Sequence, residues 1–198
     1  MGISAKDVAA LRKQTVVGMM ECKKALEEAG GDTGKASDIL RKRGIAKAEK
    51  RAGRSASEGF IGSYVHFNGK VGVLVDLNCE TDFVARTDDF QGLAKELSLH
   101  IASAKPVAVS ADDLPEALVA KEREIVEAQV AESGKPEAVR EKMVEGKMKK
   151  FCQELALLDQ PFVKDDKVSV GQLVTEASAK LGENVVVRRF VRFELGEE

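Results

Sequence analysis

The chain has 198 residues, a formal charge of −2, 43% apolar and 32% charged residues, no Trp and one Tyr. It is long enough for an ordinary domain plus a small one, and no overall field draws it to nucleic acid or a membrane surface. No apolar run approaches the roughly 18 residues of a membrane span. The opening MGISAKDVAALRKQ lacks the apolar stretch of a signal peptide. Cys22, Cys79 and Cys152 are odd in number and show no CxxC spacing, which argues against a disulfide framework or a zinc site and for reduced thiols in a cytoplasmic protein.

In chain order, residues 1–44 read as three short helices. Ser4 with Asp7 makes an N-cap close to a capping box, and Val8 and Leu11 share a face. TVVG (15–18) breaks the pattern, and MMECKKALEEA resumes it with Met19, Cys22, Leu26 and Ala29 at helical spacing. Gly30-Gly31 supplies a left-handed cap. Asp32 and Thr33 open a third helix carrying Ile39 and Leu40, which Gly44 is expected to close. A unit this small presents a surface rather than housing chemistry. Residues 41–54, RKRGIAKAEKRAGR, hold seven Lys or Arg and one Glu. They read as a basic linker (45–57) or an exposed basic helix, with RNA contact as the sharper alternative. The stretch lacks the aromatics that stack bases.

Residues 58–198 form the second predicted domain. GFIGSYVHF and KVGVLVDLN flank Asn68-Gly69, a two-residue hairpin signal that pairs His66 with Val71 and Gly62 with Val75. One face carries Phe60, Tyr64, Val71, Val73, Val75 and Leu77 and is the expected core. Helices are expected to fill 88–182. The first, capped by Thr87 or Asp88, carries Phe90, Leu93, Leu97 and Ile101 and stops at Pro106. Pro115 and Pro136 open two more, the latter with a stripe of Val139, Met143, Phe151, Leu155 and Leu158. A Ser169/Gln172 capping box opens the last, which Gly182 ends. In NVVVRRFVRFEL, Val185, Val187, Val191, Phe193 and Leu195 lie on one face, and Val186, Arg188, Phe190, Arg192 and Glu194 on the other.

Two strands, a run of helices and a returning strand predict an α+β fold: a three-stranded antiparallel sheet with helices on one face. The other face keeps Ile61, Val65, Phe67, Leu74 and Phe190, a patch that wants a partner, and a homodimer is expected there. No site for covalent chemistry is legible. GGDTGKA (30–36) lacks the Ser or Thr of a phosphate-binding loop and follows no strand, and neither His66 nor His100 has a triad or metal pattern. These residues describe a binding protein with no cofactor and no metal. Phe83, in the charged connection LNCETDFVARTDDF, reads on pattern alone as a staple on the following helix.

At TDFVAR, preceded by the NG hairpin and followed by a capped helix, the chain resembles bacterial elongation factor Ts. LRKQTVVGMMECKKALEEAGGD is similar to that family's ubiquitin-associated-like three-helix domain, and the resemblance runs from 2 to 195. It implies a guanine-nucleotide exchange factor that binds elongation factor Tu, both GDP-bound and nucleotide-free. Asp82 and Phe83 match the pair that intrudes into Tu's nucleotide domain. Thr81 and Val84 flank that pair in the segment associated with magnesium displacement. Leu11, Arg12, Val17, Met19, Met20 and Lys23 match the first domain's contact region, with core packing as the rival role for Met19. The chain resembles the family's short, dimeric form: one core repeat and no long helical hairpin insertion. The resemblance implies no direct nucleotide binding and no membrane or nucleic-acid partner.

Overall fold

The computed structural model describes residues 3–15 and 17–197. Val16, in the predicted TVVG break, and residues 1, 2 and 198, at the ends of the predicted domains, lie outside these. The fold is α+β, with helices α1 (Ala5–Thr15), α2 (Met19–Glu28), α3 (Thr33–Glu49), α4 (Asp82–Ala85), α5 (Asp88–Ala104), α6 (Glu116–Ala131), α7 (Glu137–Leu155) and α8 (Val170–Leu181). Strands β1 (Glu58–Val65), β2 (Val71–Cys79) and β5 (Val186–Glu194) form a sheet in the order β1-β2-β5, and β3 (Pro161–Phe162) pairs with β4 (Asp165–Ser169). The chain divides into two compact units. One runs to Phe60 and adds Asn78–Leu93 and Val174–Val186; the other holds Ile61–Leu77, Ala94–Leu173 and the chain from Val187 onward.

In the first unit, α1, α2 and α3 pack around Val8, Leu11, Cys22, Ala25, Leu26, Ala36 and Leu40. Their ends are capped as the sequence predicts. Asp7 N–H donates to Ser4 Oγ at 3.1 Å, and Lys35 N–H donates to Asp32 Oδ1 at 3.0 Å. At the end of α2 the N–H of Gly31 bonds to Leu26 O (2.8 Å) and that of Gly30 to Glu27 O (3.2 Å), with both glycines at positive φ. This is a Schellman termination. The expected stop at Gly44 is corrected: α3 continues through it to Glu49. A Cβ on Gly44 would lie 3.1 Å from the Ala179 Cβ on α8. The glycine therefore serves close helix packing, and the first residues of the predicted linker are helical. Beside it Arg41 Nε donates to Glu176 of α8 at 3.0 Å.

In the second unit, His66 N–H donates to Val71 O at 2.9 Å, which keeps the expected pairing. The two-residue Asn-Gly turn is corrected. Gly69 N–H bonds back to His66 O, so the bend centres on Phe67-Asn68, and only Gly69 takes a positive φ (69°). A mirror-image turn needs positive φ at both central residues. Asn68 instead accepts the Lys70 N–H through Oδ1 at 3.0 Å, stabilising the longer loop. Helix α5 covers the core face so closely that a Cβ on Gly62 would meet Ala94 O at 2.8 Å and Val75 Cγ1 at 2.9 Å.

Two further expectations change here. The helical run 88–182 is interrupted by the β3–β4 hairpin, which the sequence reading missed. Phe162 is buried there, its ring centroid 5.9 Å from that of His100 on α5. The expected stripe on α7 is also shifted. Val144 and Met148 are its buried residues, packed on Val126 and Val130 of α6, while Val139 is exposed. With only residues 132–136 between them, α6 and α7 form a helical hairpin. The Pro136 signal shows the break but not that the two apolar faces close on each other.

His100 is buried and neutral. Its Nε2–H donates to Gln160 Oε1 at 2.9 Å, and Nδ1 accepts the Val163 N–H at 3.2 Å. Burial pushes its pKa below the ordinary value, partly offset by the Gln160 hydrogen bond. The unfolded chain therefore binds a proton that the folded chain resists. This stability is fully present above the unfolded pKa of about 6.5 and is lost as pH falls from there toward the lower folded value. Thermal unfolding between pH 8 and 5 is expected to show an acid loss that His100→Gln reduces. Parallel profiles would remove His100 as the cause.

Candidate partner-binding surface

The end of β2 and the short helix α4 carry Phe83, which is 81% exposed. It does not staple the following helix, as pattern alone suggested. The loop beneath it is tightly held. Thr81, extended at φ −130° and ψ 152°, caps α4 by accepting the Val84 N–H at Oγ1 (3.4 Å). Thr87 Oγ1 donates to Val84 O at 2.8 Å and accepts the Phe90 N–H at 3.3 Å, capping α5. Asp82 is ion-paired with Arg86 at 2.9 Å. Val84 is half-buried and Ala85 buried.

The residues that fix the base were not found by sequence reasoning. Glu183, between α8 and β5, accepts the N–H groups of Glu80 and Thr81, each at 3.0 Å, and the Thr81 hydroxyl at 2.6 Å. Glu80 in turn accepts the Asn184 N–H at 2.7 Å and lies 3.5 Å from Arg54. Cys79 donates its thiol to Thr81 O at 3.1 Å. Burial and the nearby Glu183 carboxylate raise its pKa, which keeps the thiol protonated and inert. Gly182 marks where α8 stops, but nothing local to Glu183 signals a partner 102 positions away.

The predicted first-domain residues separate into two kinds. Leu11 is 1% exposed and belongs to the three-helix core, so it supports a surface rather than forming one. Val17 packs on the same core. Met19 and Met20 are exposed, so Met19 is not one of the buried core residues, and Arg12 and Lys23 are exposed as well. Ala9, Arg12, Lys13 and Met19 line a shallow hollow there.

On the sheet, Ile61, Val65, Phe67 and Leu74 are exposed as expected, Phe67 at 92%. Phe190 is half-buried and does not join them openly. The alternation of β5 changes phase at Arg188 and Arg189, both exposed. Val187 is buried before them, but Phe190, Arg192 and Glu194 are the more buried residues after them. Val191, Phe193 and Leu195, expected to share a face with Val185 and Val187, are exposed apolar residues, whereas Val185 and Val187 are buried. Among the described residues there is no cluster able to hold a metal ion and no helix long and apolar enough to cross a membrane.

The family model for elongation factor Ts matches residues 4–197. The chain belongs to the elongation factor Ts family. The elongation factor Ts of Anaeromyxobacter sp. (strain Fw109-5) is 54% identical over 195 residues, covering 98% of this chain and 89% of that protein. That of Carboxydothermus hydrogenoformans is 53% identical, covering 98% of this chain and 90% of that protein. That of Thermosipho melanesiensis is 55% identical, covering 98% and 100%. Membership makes the chain a translation elongation factor of protein biosynthesis. Within this chain, the three-helix residues and the Phe83 loop belong to the same compact unit.

Proposed function

We infer that this cytoplasmic protein is the guanine-nucleotide exchange factor of elongation factor Tu. It binds Tu·GDP, promotes GDP release and lets GTP rebind, performing no covalent chemistry and binding no nucleotide itself. The observation that carries this reading is a large apolar side chain, Phe83, held out in water on a loop whose base is fixed by hydrogen bonds. A rigid exposed aromatic enters a partner with little ordering cost. In this mechanism Asp82-Phe83 wedges beside Tu's nucleotide site, Thr81 and Val84 hold the wedge's shape, and the partner's Mg²⁺ region moves away. Residues 1–44 supply a second contact through Arg12, Met19, Met20 and Lys23, the methionines giving an adaptable apolar surface. Residues 45–57 connect it to the exchange and dimerisation domain, 58–198.

Magnitudes limit what Phe83 does alone. A 10⁴-fold faster release needs about 5.5 kcal/mol, and burying one Phe contributes about 1.5–3 kcal/mol. The remainder comes from the wider interface and from weakened metal binding. The coupling is reciprocal, so GDP weakens the factor's hold on Tu by the same factor. Release of a fluorescent GDP analogue from purified Tu tests the reading. Acceleration by catalytic amounts of this protein is expected, and an unchanged release rate would overturn it.

The alternative, RNA contact through 41–54, is weakened by the ion pairs of that segment. Arg41 pairs with Glu176, Arg43 with Glu28, Lys47 with Glu21 and Arg54 with Glu80. Four of its cations are thus already matched within the protein, which leaves few for phosphates.

The exposed sheet face is read as the homodimer surface, with Ile61, Val65, Phe67 and Leu74 at its centre and Val191 and Phe193 added to it. Sedimentation is expected to show a dimer at micromolar concentration. Phe67→Asp with Phe193→Asp is expected to weaken it by about 100-fold or more, since central aromatic anchors dominate such interfaces. A wild-type monomer at that concentration would remove the assignment.

A further inference from the structure

Residues 183 and 184 bond to two segments far apart in sequence. Glu183 holds the base of the Phe83 loop through the Glu80 and Thr81 N–H groups and the Thr81 hydroxyl. Asn184, buried at 4% exposure, donates both amide hydrogens to the segment that follows α3. They go to Ala52 O at 3.3 Å and Arg54 O at 2.8 Å. Its own N–H bonds to Glu80, whose carboxylate also faces Arg54. Further back, α3 lies against α8 at Gly44 and through Arg41–Glu176. The segment that leaves the three-helix bundle is therefore not a loose tether, since Asn184 clasps residues 52–54 beside the loop that Glu183 holds.

We propose that Glu183-Asn184 is a positioning clip that fixes the three-helix contact surface relative to the Phe83 loop, so that one partner molecule meets both at once. This rests on the exchange reading above and adds residues that act through others rather than touching the partner. The physical advantage is effective concentration. When two contacts are held at a matched spacing, the second forms at little further entropic cost, and a loosened connection forfeits that gain. Asn184 is the sharper half of the clip, because only its side chain reaches the 52–54 segment. Glu183 shapes the loop itself.

The test is the exchange assay with full-length wild type, Asn184→Ala, Met20→Ala and the double variant, each first shown to be folded by circular dichroism. For Asn184→Ala, the factor concentration giving half-maximal GDP release is expected to rise about tenfold, with the maximal rate within about twofold of wild type. Met20→Ala is expected to weaken half-saturation in the wild-type background and distinctly less in the Asn184→Ala background, because contacts acting as a unit are non-additive. Trypsin is expected to cut after Arg51 or Arg54 faster in Asn184→Ala than in wild type. Unchanged half-saturation, or strictly additive Met20 and Asn184 effects, would overturn the clip while leaving the exchange function standing. If Asn184→Ala fails to fold, Asn184→Ser, which is smaller and keeps one donor, carries the same readouts. Wild type that does not accelerate GDP release at all would overturn the exchange reading, and the clip with it.

Discussion

Phe83→Ala is expected to slow stimulated GDP release from elongation factor Tu by about 10- to 100-fold, the kinetic equivalent of losing one buried Phe from the activated complex. The unfolding midpoint is expected to stay near the wild-type value. Phe83 is 81% exposed and donates nothing to the protein's own core. That separation distinguishes a wedge from a staple: a staple would lose stability and exchange together. Adding Asp82→Ala removes the Asp82–Arg86 pair on an exposed helix, where such pairs contribute little to stability, so its extra effect is expected in exchange rather than in folding. Full stimulation by the double variant would end the wedge model.

Gly62→Ala is expected to destabilise the protein by about 1–3 kcal/mol, the usual cost of forcing a methyl into a filled core. The added Cβ meets Ala94 O at 2.8 Å, Ala94 Cβ at 2.9 Å and Val75 Cγ1 at 2.9 Å. Two of these atoms belong to α5 close to its backbone, so relief requires the helix to move off the sheet. Urea denaturation at pH 7.5 measures the loss. A midpoint equal to wild type would mean that α5 retreats freely. Gly72, on the same sheet with open space beside it, is the control position: alanine there meets nothing within 4 Å.

Much of the architecture was legible locally. Ser4, Asp32, Thr87 and the Ser169/Gln172 box cap their helices because those signals operate within three or four residues. The His66–Val71 pairing was readable from alternation. Failures came where a distant segment decided the outcome. Gly44 looks like a stop, but Ala179 lies against it, and α3 runs on. Residues 161–169 read only as the break before the Ser169-capped helix, yet they pair as a hairpin, with Phe162 buried and the His100–Gln160 hydrogen bond beside it. In β5 the alternation predicts one apolar face interrupted at Arg189, but two successive exposed arginines shift its phase and turn Val191, Phe193 and Leu195 outward.

The candidate site divides in the same way. By itself the sequence determined that an aromatic stands between a strand end and a capped helix, that its neighbours are Thr81, Asp82 and Val84, and that the motif resembles one family. Only the tertiary structure decided that Phe83 faces water, that Leu11 faces inward, and that Glu183 and Asn184 hold the loop and the 52–54 segment together. Caps and alternation are written in neighbouring residues. A carboxylate that serves backbone N–H groups a hundred positions away has no local pattern, and becomes visible only when the chain has closed on itself.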